Sequence, residues 1–408
     1  MIYKIEIENF CSIKKRQVID LSTSASLNDP DKRLGEIHPG SDRKAPKVVA
    51  TFGANASGKT TVLKALDLLT RFPRFYPLKV AGGFTFDAFG DPDSYGRPVK
   101  LAMEFGGYVD LDLENSGSHE RESGVYRYEL EFFRGQTGHH IVGQENLFQK
   151  PMSSSKWKRL FERQGNVVKG PTDQKAFSLT GYAQIIDKLP QNASLIATLA
   201  EFQHAPSQAL VAASNQVTSN LGFASGQEQD AHLVQYLAQA PELLASLNRT
   251  LRKIDVGLDN LRLEQTPQGP VPFFKHDGLS VDLHWASESH GTKAFIRIFP
   301  LIANALENGG VVIIDEIDAQ LHPLLLAHVV EWFHGRSERN PNDAQLWFTC
   351  HSASLLQDLS KEEILFCEKD SMGRTEVYSL TDIEGVLRKE NFYSKYLGGV
   401  YGGVPQIG

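Results

Sequence analysis

A chain of 408 residues with 41% hydrophobic and 22% charged residues is long enough to form one to three domains around a large core. Its formal net charge of −7 excludes a global basic field for coating nucleic acid, although it leaves room for a local basic patch. The cysteines Cys11, Cys350 and Cys367 are too scattered for a zinc site or a disulfide framework, which predicts reduced thiols and a cytoplasmic protein. No apolar run approaches the roughly 18 residues of a membrane span.

Patterns in the N-terminal third of the chain predict β-strands before and after a polar loop at residues 22–46. Residues 2–8 alternate between apolar and charged side chains, which is typical of a half-buried strand, and a second strand is expected near Gln17–Leu21. Val99–Phe105 and Val125–Phe133 are separated by a Gly- and Ser-rich stretch and predict a β-hairpin.

The most specific motif is Gly53–Thr60, which reads G-x-x-x-x-G-K-T, the P-loop or Walker A pattern. An apolar strand, Val48–Phe52, precedes it, and a segment with helical apolar spacing, Thr61–Leu69, follows it. In this pattern backbone N–H groups and the helix N-terminus bind phosphate, Lys59 reaches the β- and γ-phosphates, and Thr60 holds Mg²⁺. The alternative is a Gly-rich turn in an unrelated α/β protein. The predicted nucleotide-binding residues of the loop are Gly53, Asn55, Ala56, Ser57, Gly58, Lys59, Thr60 and Thr61.

A second motif begins with the apolar run Val311–Ile314 and ends in two acids, Asp315 and Glu316. A buried parallel strand of this kind delivers carboxylates to its C-terminal edge, where α/β proteins bind ligands. We expect Asp315 to contact Mg²⁺, and Glu316 to polarise the attacking water as a general base. The alternative is a core strand followed by a solvated acidic turn.

The middle of the chain differs in composition from both motif regions. Helical patterns at Ser155–Arg163, Ala193–Glu201 and Ala231–Leu251 alternate with Ser-, Asn- and Gln-rich segments. We therefore predict a helical insertion over residues 150–250. It would divide an N-terminal half, residues 1–149 with Walker A, from a C-terminal half, residues 251–408 with the second motif.

These motifs, in this order, resemble a known group of ATPases. The opening I-x-I-x-N-F-x-S-I of residues 5–13 is similar to the start of ATPase heads in the SMC, RecF and OLD group. The long gap between Walker A and Asp315 and the run D-E-I-D-x-x-L-H-P of residues 315–323 are also similar to that group. The resemblance implies an α/β fold, a split ABC-type P-loop ATPase head with a mixed sheet flanked by helices. It also implies Mg²⁺-dependent hydrolysis of ATP at a dimer interface.

Two further stretches fit the resemblance. Residues 288–293 read E-S-H-G-T-K and resemble the ABC signature, in which Ser289 and Gly291 would bind the γ-phosphate of ATP held on the other subunit. Glu288, His290 and Thr292 depart from the usual Leu-Ser-Gly-Gly-Gln. Ser287 or Ser289 could equally serve as the N-cap of the helix that follows.

The remaining nucleotide contacts implied by the resemblance lie at strand ends. His351 follows the apolar run 345–350 and resembles the H-loop histidine that contacts the γ-phosphate, so that Glu316 and His351 are the predicted catalytic residues. Gln136 and Gln144 are both candidates for the glutamine that contacts the metal and the water, and the sequence does not choose between them.

The Tyr- and Gly-rich tail after His351 is similar to antiphage ATPases of the PARIS and Rlo type, with a flexible terminus as the alternative. This resemblance implies the ATP-dependent sensor and scaffold of a two-component antiphage system. The expected partners are a homodimer or higher homo-oligomer, a separately encoded nuclease or toxin as effector, and DNA or a phage protein as trigger, with no membrane. The main alternative is a DNA-repair or DNA-bridging ATPase of the RecF or SMC kind; an ABC transporter subunit ranks third.

Overall fold

The computed structural model of the protein describes residues 1–77, 86–111, 121–135, 140–221, 227–254, 257–319, 321–335 and 338–404. Within them the chain forms an α/β fold in which helices flank a mixed sheet, as the motifs predict. Among the described helices, none combines the length and the apolar character that crossing a membrane requires.

The strands are given in chain order. They are β1 (Ile2–Glu8), β2 (Gln17–Asp20), β3 (Thr23–Ser24), β4 (Leu34–Glu36), β5 (Arg43–Pro46), β6 (Val48–Phe52), β7 (Val99–Tyr108), β8 (Ser123–Arg134), β9 (His140–Pro151), β10 (Lys158–Gln164), β11 (Val167–Lys169), β12 (Val217–Ser219), β13 (Leu258–Thr266), β14 (Gly269–His276), β15 (Leu283–His284), β16 (Val311–Ile314), β17 (Gln345–Thr349), β18 (Ile364–Lys369) and β19 (Thr375–Ser379).

The α-helices follow the same order. They are α1 (Lys59–Arg71), α2 (Pro92–Tyr95), α3 (Ala183–Asp187), α4 (Leu195–Glu201), α5 (Ala205–Asn215), α6 (Gln227–Gln239), α7 (Pro241–Ile254), α8 (His290–Asn308), α9 (Pro323–Glu331) and α10 (Phe392–Leu397).

The central sheet carries the nucleotide motifs. Its order is β12-β16-β17-β6-β18-β19, and every neighbouring pair is parallel except β18 with β19. The strand that precedes the P-loop, β6, is completely buried and lies between β17 and β18. Because the parallel strands end at one edge, the loops after β6, β12, β16 and β17 meet there, which is the usual ligand site of such a sheet.

The other large sheet is antiparallel and has the order β11-β10-β9-β8-β7-β1-β2. Because it contains β1, we call it the first sheet. It contains the predicted N-terminal strand and the predicted hairpin, in which β7 pairs with β8 from Val99 opposite Phe132 to Tyr108 opposite Ser123. Apolar residues of this sheet, of α1 and of one face of the central sheet form one core cluster. The opposite face of the central sheet packs against α8 and α9 in another.

The middle segment is only partly helical. The prediction of a helix over Ser155–Arg163 is wrong, because Lys158–Gln164 forms β10, which pairs with β9 and buries Leu160 and Phe161. The apolar spacing fits a helix, but pairing with a long neighbouring strand determines the structure here. The other two patterns do form helices, and the second of them breaks into α6 and α7 before Pro241. Strands of the segment belong to both sheets, and its boundaries as a domain remain a prediction.

The Tyr-rich tail packs against the central sheet. Tyr396 and Tyr401 are 7% and 3% exposed, and the ring of Tyr396 stacks on Phe366 of β18 with 5.3 Å between centroids. The side chain of Glu368 accepts a hydrogen bond from the backbone N–H of Gly403. The flexible terminus that the composition allows is therefore not what these tail residues form.

Candidate nucleotide site

The P-loop follows β6 and leads directly into α1, and two of its glycines are required by their surroundings. Gly53 has a φ of 151°, and a Cβ there would lie 2.3 Å from the carbonyl oxygen of Cys367. Gly58 has a φ of 106°, and a Cβ there would lie 2.2 Å from the hydroxyl oxygen of Thr375. Both are backbone conformations that side chains rarely adopt, so the glycines fix the path of the loop.

The side chain of Lys59 folds back onto the start of the P-loop. Its ammonium donates hydrogen bonds to the carbonyl oxygens of Gly53 and Ala54, each at 3.0 Å, and the residue is 5% exposed. Burial lowers the pKa of Lys59 from its ordinary value, while the negative charges of Asp315 and Glu316 oppose that change. A buried cation beside two acids and open backbone N–H groups is suited to the terminal phosphates of a nucleotide.

The loop also contains a polar atom that has no partner. The hydroxyl oxygen of Ser57 is buried, and it has no hydrogen-bond partner in the part of the chain that the structure describes. A buried polar atom left unsatisfied costs free energy, and a phosphate oxygen would provide the missing partner. The residues present therefore fit a bound nucleotide. Asn55 and Ala56, in contrast, are exposed at the tip of the loop.

The predicted metal residues meet across the sheet edge. The hydroxyl of Thr60 donates to a carboxylate oxygen of Asp315 at 3.1 Å, and the hydroxyl of Thr349 donates to the same oxygen at 2.6 Å. This oxygen-rich pair suits Mg²⁺, which prefers one or two protein oxygen ligands together with substrate phosphates. Among the described residues, no group of three or more His, Cys, Asp or Glu side chains could hold a metal ion by itself.

Glu316 follows Asp315 and is exposed at the mouth of the site. Its φ of 50° is unusual for a residue with a side chain, and its backbone N–H donates to the hydroxyl of Thr349 at 2.7 Å. Strained backbone that surrounding contacts hold in place is common at functional sites.

Asn220 is a site residue that the sequence reasoning missed. It directly follows β12, its side-chain amide donates to the carbonyl oxygen of Asp315 at 3.1 Å, and its side-chain oxygen accepts from the N–H of Asp315 at 2.8 Å. Thr349 was missed as well. A polar residue at the end of an apolar strand could have indicated Thr349, but Asn220 follows a three-residue strand in a polar segment and gives no such signal.

Of the two glutamine candidates, only Gln144 lies among the described residues. Gln136 lies outside the described residues. Gln144 lies in β9 of the first sheet, opposite Glu131 and Gln164 on the neighbouring strands. In the described part of the chain, the side-chain amide that binds Asp315 is that of Asn220.

The segment after Glu316 is connected to the end of β17. A carboxylate oxygen of Asp318 accepts the backbone N–H groups of His351 at 2.9 Å and Ser352 at 2.7 Å. His351 itself is exposed. Cys350, which directly precedes it, is buried, and this burial raises the pKa of its thiol above the ordinary value.

The predicted signature residues begin α8. Ser289 is its N-cap, accepting the N–H of Thr292 at 3.0 Å, and Gly291 lies in the first turn. The capping alternative therefore holds for Ser289. In the part of the chain that the structure describes, no hydrogen bond joins Ser289 or Gly291 to the P-loop of the same subunit, and Ser289 is exposed.

The N-terminal motif is built into the same site. The hydroxyl of Ser12 lies 3.0 Å from that of Thr61 in α1 and 2.8 Å from that of Thr375. Thr375 also donates to the carbonyl oxygen of Ser57 at 2.8 Å. The loop after β1 thus contacts the start of α1, and the first residue of β19 contacts the P-loop.

A protein-family model agrees with this geometry. A family model described as "AAA_21: AAA domain, putative AbiEii toxin, Type IV TA system" matches residues 49–357. No curated protein matches the chain significantly. Among solved structures, the SMC head domain from Thermotoga maritima is similar at 13% sequence identity and a TM-score of 0.40, covering 93% of this chain and 98% of that one. Similarity at this level does not define a function.

Proposed function

Because the chain belongs to the AAA_21 family of AAA domains, we propose that it is an ATP-dependent switch that controls a separately encoded effector in antiphage defence. The observation that carries the ATPase assignment is the meeting of Lys59, Thr60, Asp315 and Glu316 at one edge of the central sheet. The family description mentions a toxin of a type IV toxin–antitoxin system, which supports a role in defence.

In the proposed reaction, each residue has a separate task. Lys59 and the loop N–H groups bind the β- and γ-phosphates, and Thr60 and Asp315 hold Mg²⁺, which would offset phosphate charge. Glu316 takes a proton from the attacking water, and Asn220 and Thr349 fix the backbone and carboxylate of the adjacent Asp315. His351 contacts the γ-phosphate from the end of β17.

Exposure supports a site that two subunits share. Glu316 and His351 lie at the surface of the single subunit, as do Ser289 and His290 at the start of α8. We propose that a second copy of the chain covers the first copy's nucleotide with its own Ser289 and Gly291. The shared site would close only when both ATP and the second subunit are present, so hydrolysis would be slow and would report assembly.

The separate effector is proposed from the sequence, which shows no nuclease metal cluster or Ser-His-Asp set beside the ATPase motifs. An ATPase can shift a partner's equilibrium only through contacts that differ between its nucleotide states. The effector would therefore be held or released according to nucleotide state, in response to DNA or a phage protein. The second candidate, a DNA-repair or DNA-bridging ATPase, is favoured by the N-terminal motif, whose Ser12 contacts α1.

Co-purification from the native operon tests the proposal. The tagged wild type, Lys59→Ala and Glu316→Gln are isolated with and without Mg-ATP, and the proteins that remain bound are identified. We expect the neighbouring gene product to be retained differently by the two variants, since one cannot bind ATP and the other cannot hydrolyse it. A chain that kills cells alone, with no second protein, would show that it is itself the toxin. Binding of DNA without any second protein would favour the repair function.

A further inference from the structure

Glu288 is a buried carboxylate in an otherwise exposed segment. It is 6% exposed, whereas Ser287, Ser289 and His290 around it are exposed. The usual ABC signature has leucine at this position. A buried carboxylate is unfavourable unless charged or hydrogen-bonding groups compensate for the lost water.

Both oxygens of Glu288 have donors. One accepts a hydrogen bond from the backbone N–H of Ser289 at 2.7 Å, and the other accepts a hydrogen bond from Nε2 of His276 at 2.9 Å. His276 is the last residue of β14, which pairs with β13 and β15. The carboxylate therefore ties the start of α8 to a separate three-stranded sheet.

These contacts leave Ser289, the second residue of the signature, little freedom. The N–H of Ser289 is held by Glu288, and its hydroxyl oxygen caps α8 and lies 2.7 Å from the hydroxyl of Thr292. Its hydroxyl keeps a fixed position at the N-terminus of α8, an end that favours anions.

His276 also affects the negative charge of the Glu288 carboxylate. A carboxylate at the N-terminus of α8 would repel a phosphate that approaches the same helix end, because like charges at close range disfavour each other. The hydrogen bond from His276 to the Glu288 carboxylate disperses part of that negative charge. Other charged groups of this region include Lys293 in α8, which donates to the carbonyl oxygen of Ala286 at 3.5 Å, and two ion pairs, Asp230 in α6 with Arg297 and Arg262 in β13 with Asp282.

We propose that Glu288 and His276 are positioning residues that fix Ser289 for the triphosphate end of an ATP bound to a second copy of the chain. This inference rests on the proposed function, since it requires the site to be shared between subunits. It assigns a role to the residue at which this signature departs most from the usual sequence.

The first experiment separates positioning from packing. In the full-length chain, Glu288→Leu restores the usual apolar residue but removes both acceptors. We expect hydrolysis to fall about tenfold or more, as for loss of a hydrogen bond to a charged group, with ATP binding to the isolated subunit unchanged. His276→Leu should act in the same way, and His276→Gln, which keeps a donor, should restore most of the activity. The matched control is Glu264→Leu, an exposed residue of β13.

Mixed dimers provide a readout that a structural role would not change. Glu288→Leu subunits mixed with Glu316→Gln subunits form one site with both lesions and one with neither, so activity should return. Glu288→Leu mixed with Ser289→Arg leaves a lesion in every site, so activity should stay absent. Two different affinity tags verify that mixed dimers are present.

The outcomes distinguish the positioning role of Glu288 and His276 from the site shared between subunits. If Ser289→Arg with Glu316→Gln regains activity but Glu288→Leu with Glu316→Gln does not, the positioning role is wrong and the shared site stands. If neither mixture regains activity, the shared site is wrong and the positioning role fails with it. Full activity of both Glu288→Leu and His276→Leu would also overturn the inference. Should Glu288→Leu fail to fold, the contrast between His276→Leu and His276→Gln decides.

Discussion

Asp315 and Glu316 share one neighbour, the hydroxyl of Thr349. It donates to the carboxylate of Asp315 and accepts the N–H of Glu316, so a single side chain sets the two acids relative to each other. Glu316 also has a left-handed backbone conformation, with a φ of 50°. One acid is held inside the site with Thr60, while the other stays exposed, which suits the proposed metal-binding role of Asp315 and general-base role of Glu316.

Glu316→Gln should retain ATP binding and slow hydrolysis by a factor on the order of 10², because the amide cannot accept the proton of the attacking water. Phosphate release under saturating Mg-ATP measures the rate, and calorimetry measures the affinity. Glu331→Gln, an exposed residue at the end of α9, is the matched control and should change neither. Unaffected turnover in Glu316→Gln would mean that the base lies elsewhere.

At the scale of elements, the shortest strand of the central sheet has a large effect on the site. The three residues of β12 lie beside β16, and this pairing brings Asn220 to the backbone of Asp315. The segment from residue 140 to residue 221 is thereby connected to both sheets, through β10 at the outer part of the first sheet and β12 at the edge of the central sheet.

Asn220→Ala should lower kcat about tenfold with a smaller effect on ATP affinity, because two hydrogen bonds that hold Asp315 are lost. Asn220→Asp should be worse than alanine, since it keeps the acceptor but places a carboxylate against the carbonyl oxygen of Asp315. Asn308→Ala, at the exposed C-terminal end of α8, serves as the control. Equal activity of Asn220→Ala and wild type would show that Asn220 has no role in hydrolysis.

The difference between Asp315 and Asn220 shows how far the sequence could predict the site. Asp315 belongs to a contiguous pattern of apolar strand and acids, so its place follows from local periodicity. Asn220 reaches the site only because β12 pairs with β16, and a pairing between distant residues leaves no local pattern. The same reason explains β10: Trp157, Leu160 and Phe161 stand at the helical spacing i, i+3 and i+4, but pairing with the long neighbour β9 makes the segment a strand.

At the scale of the whole molecule, the nucleotide site lies where several units meet. Ser12 follows the first strand of one sheet, Thr375 begins the last strand of the other, and both contact the P-loop region. A nucleotide bound there would contact a loop that both sheets support, so binding should stabilise their junction.

Mg-ATP at about 100 times its Kd should therefore raise the free energy of unfolding by about 2.7 kcal/mol, visible as a higher Tm. Lys59→Ala should show no such increase, because it removes the cation that reaches the β- and γ-phosphates. Lys156→Ala, an exposed lysine, is the control and should respond like the wild type. An undiminished Tm increase in Lys59→Ala would contradict the P-loop assignment.

The position of β6 in the central sheet has a consequence for how the protein is made. Both of its neighbours come from far along the chain: Val48 pairs beside Leu346, and Ala50 beside Ile364. On the ribosome, the strand that leads into the P-loop therefore stays unpaired until β17 and β18 have emerged, and such long-range pairing is slow and prone to aggregation. A chain interrupted before β17 would lack both neighbours of β6, so nucleotide binding should be acquired only after β17 and β18 have been synthesised.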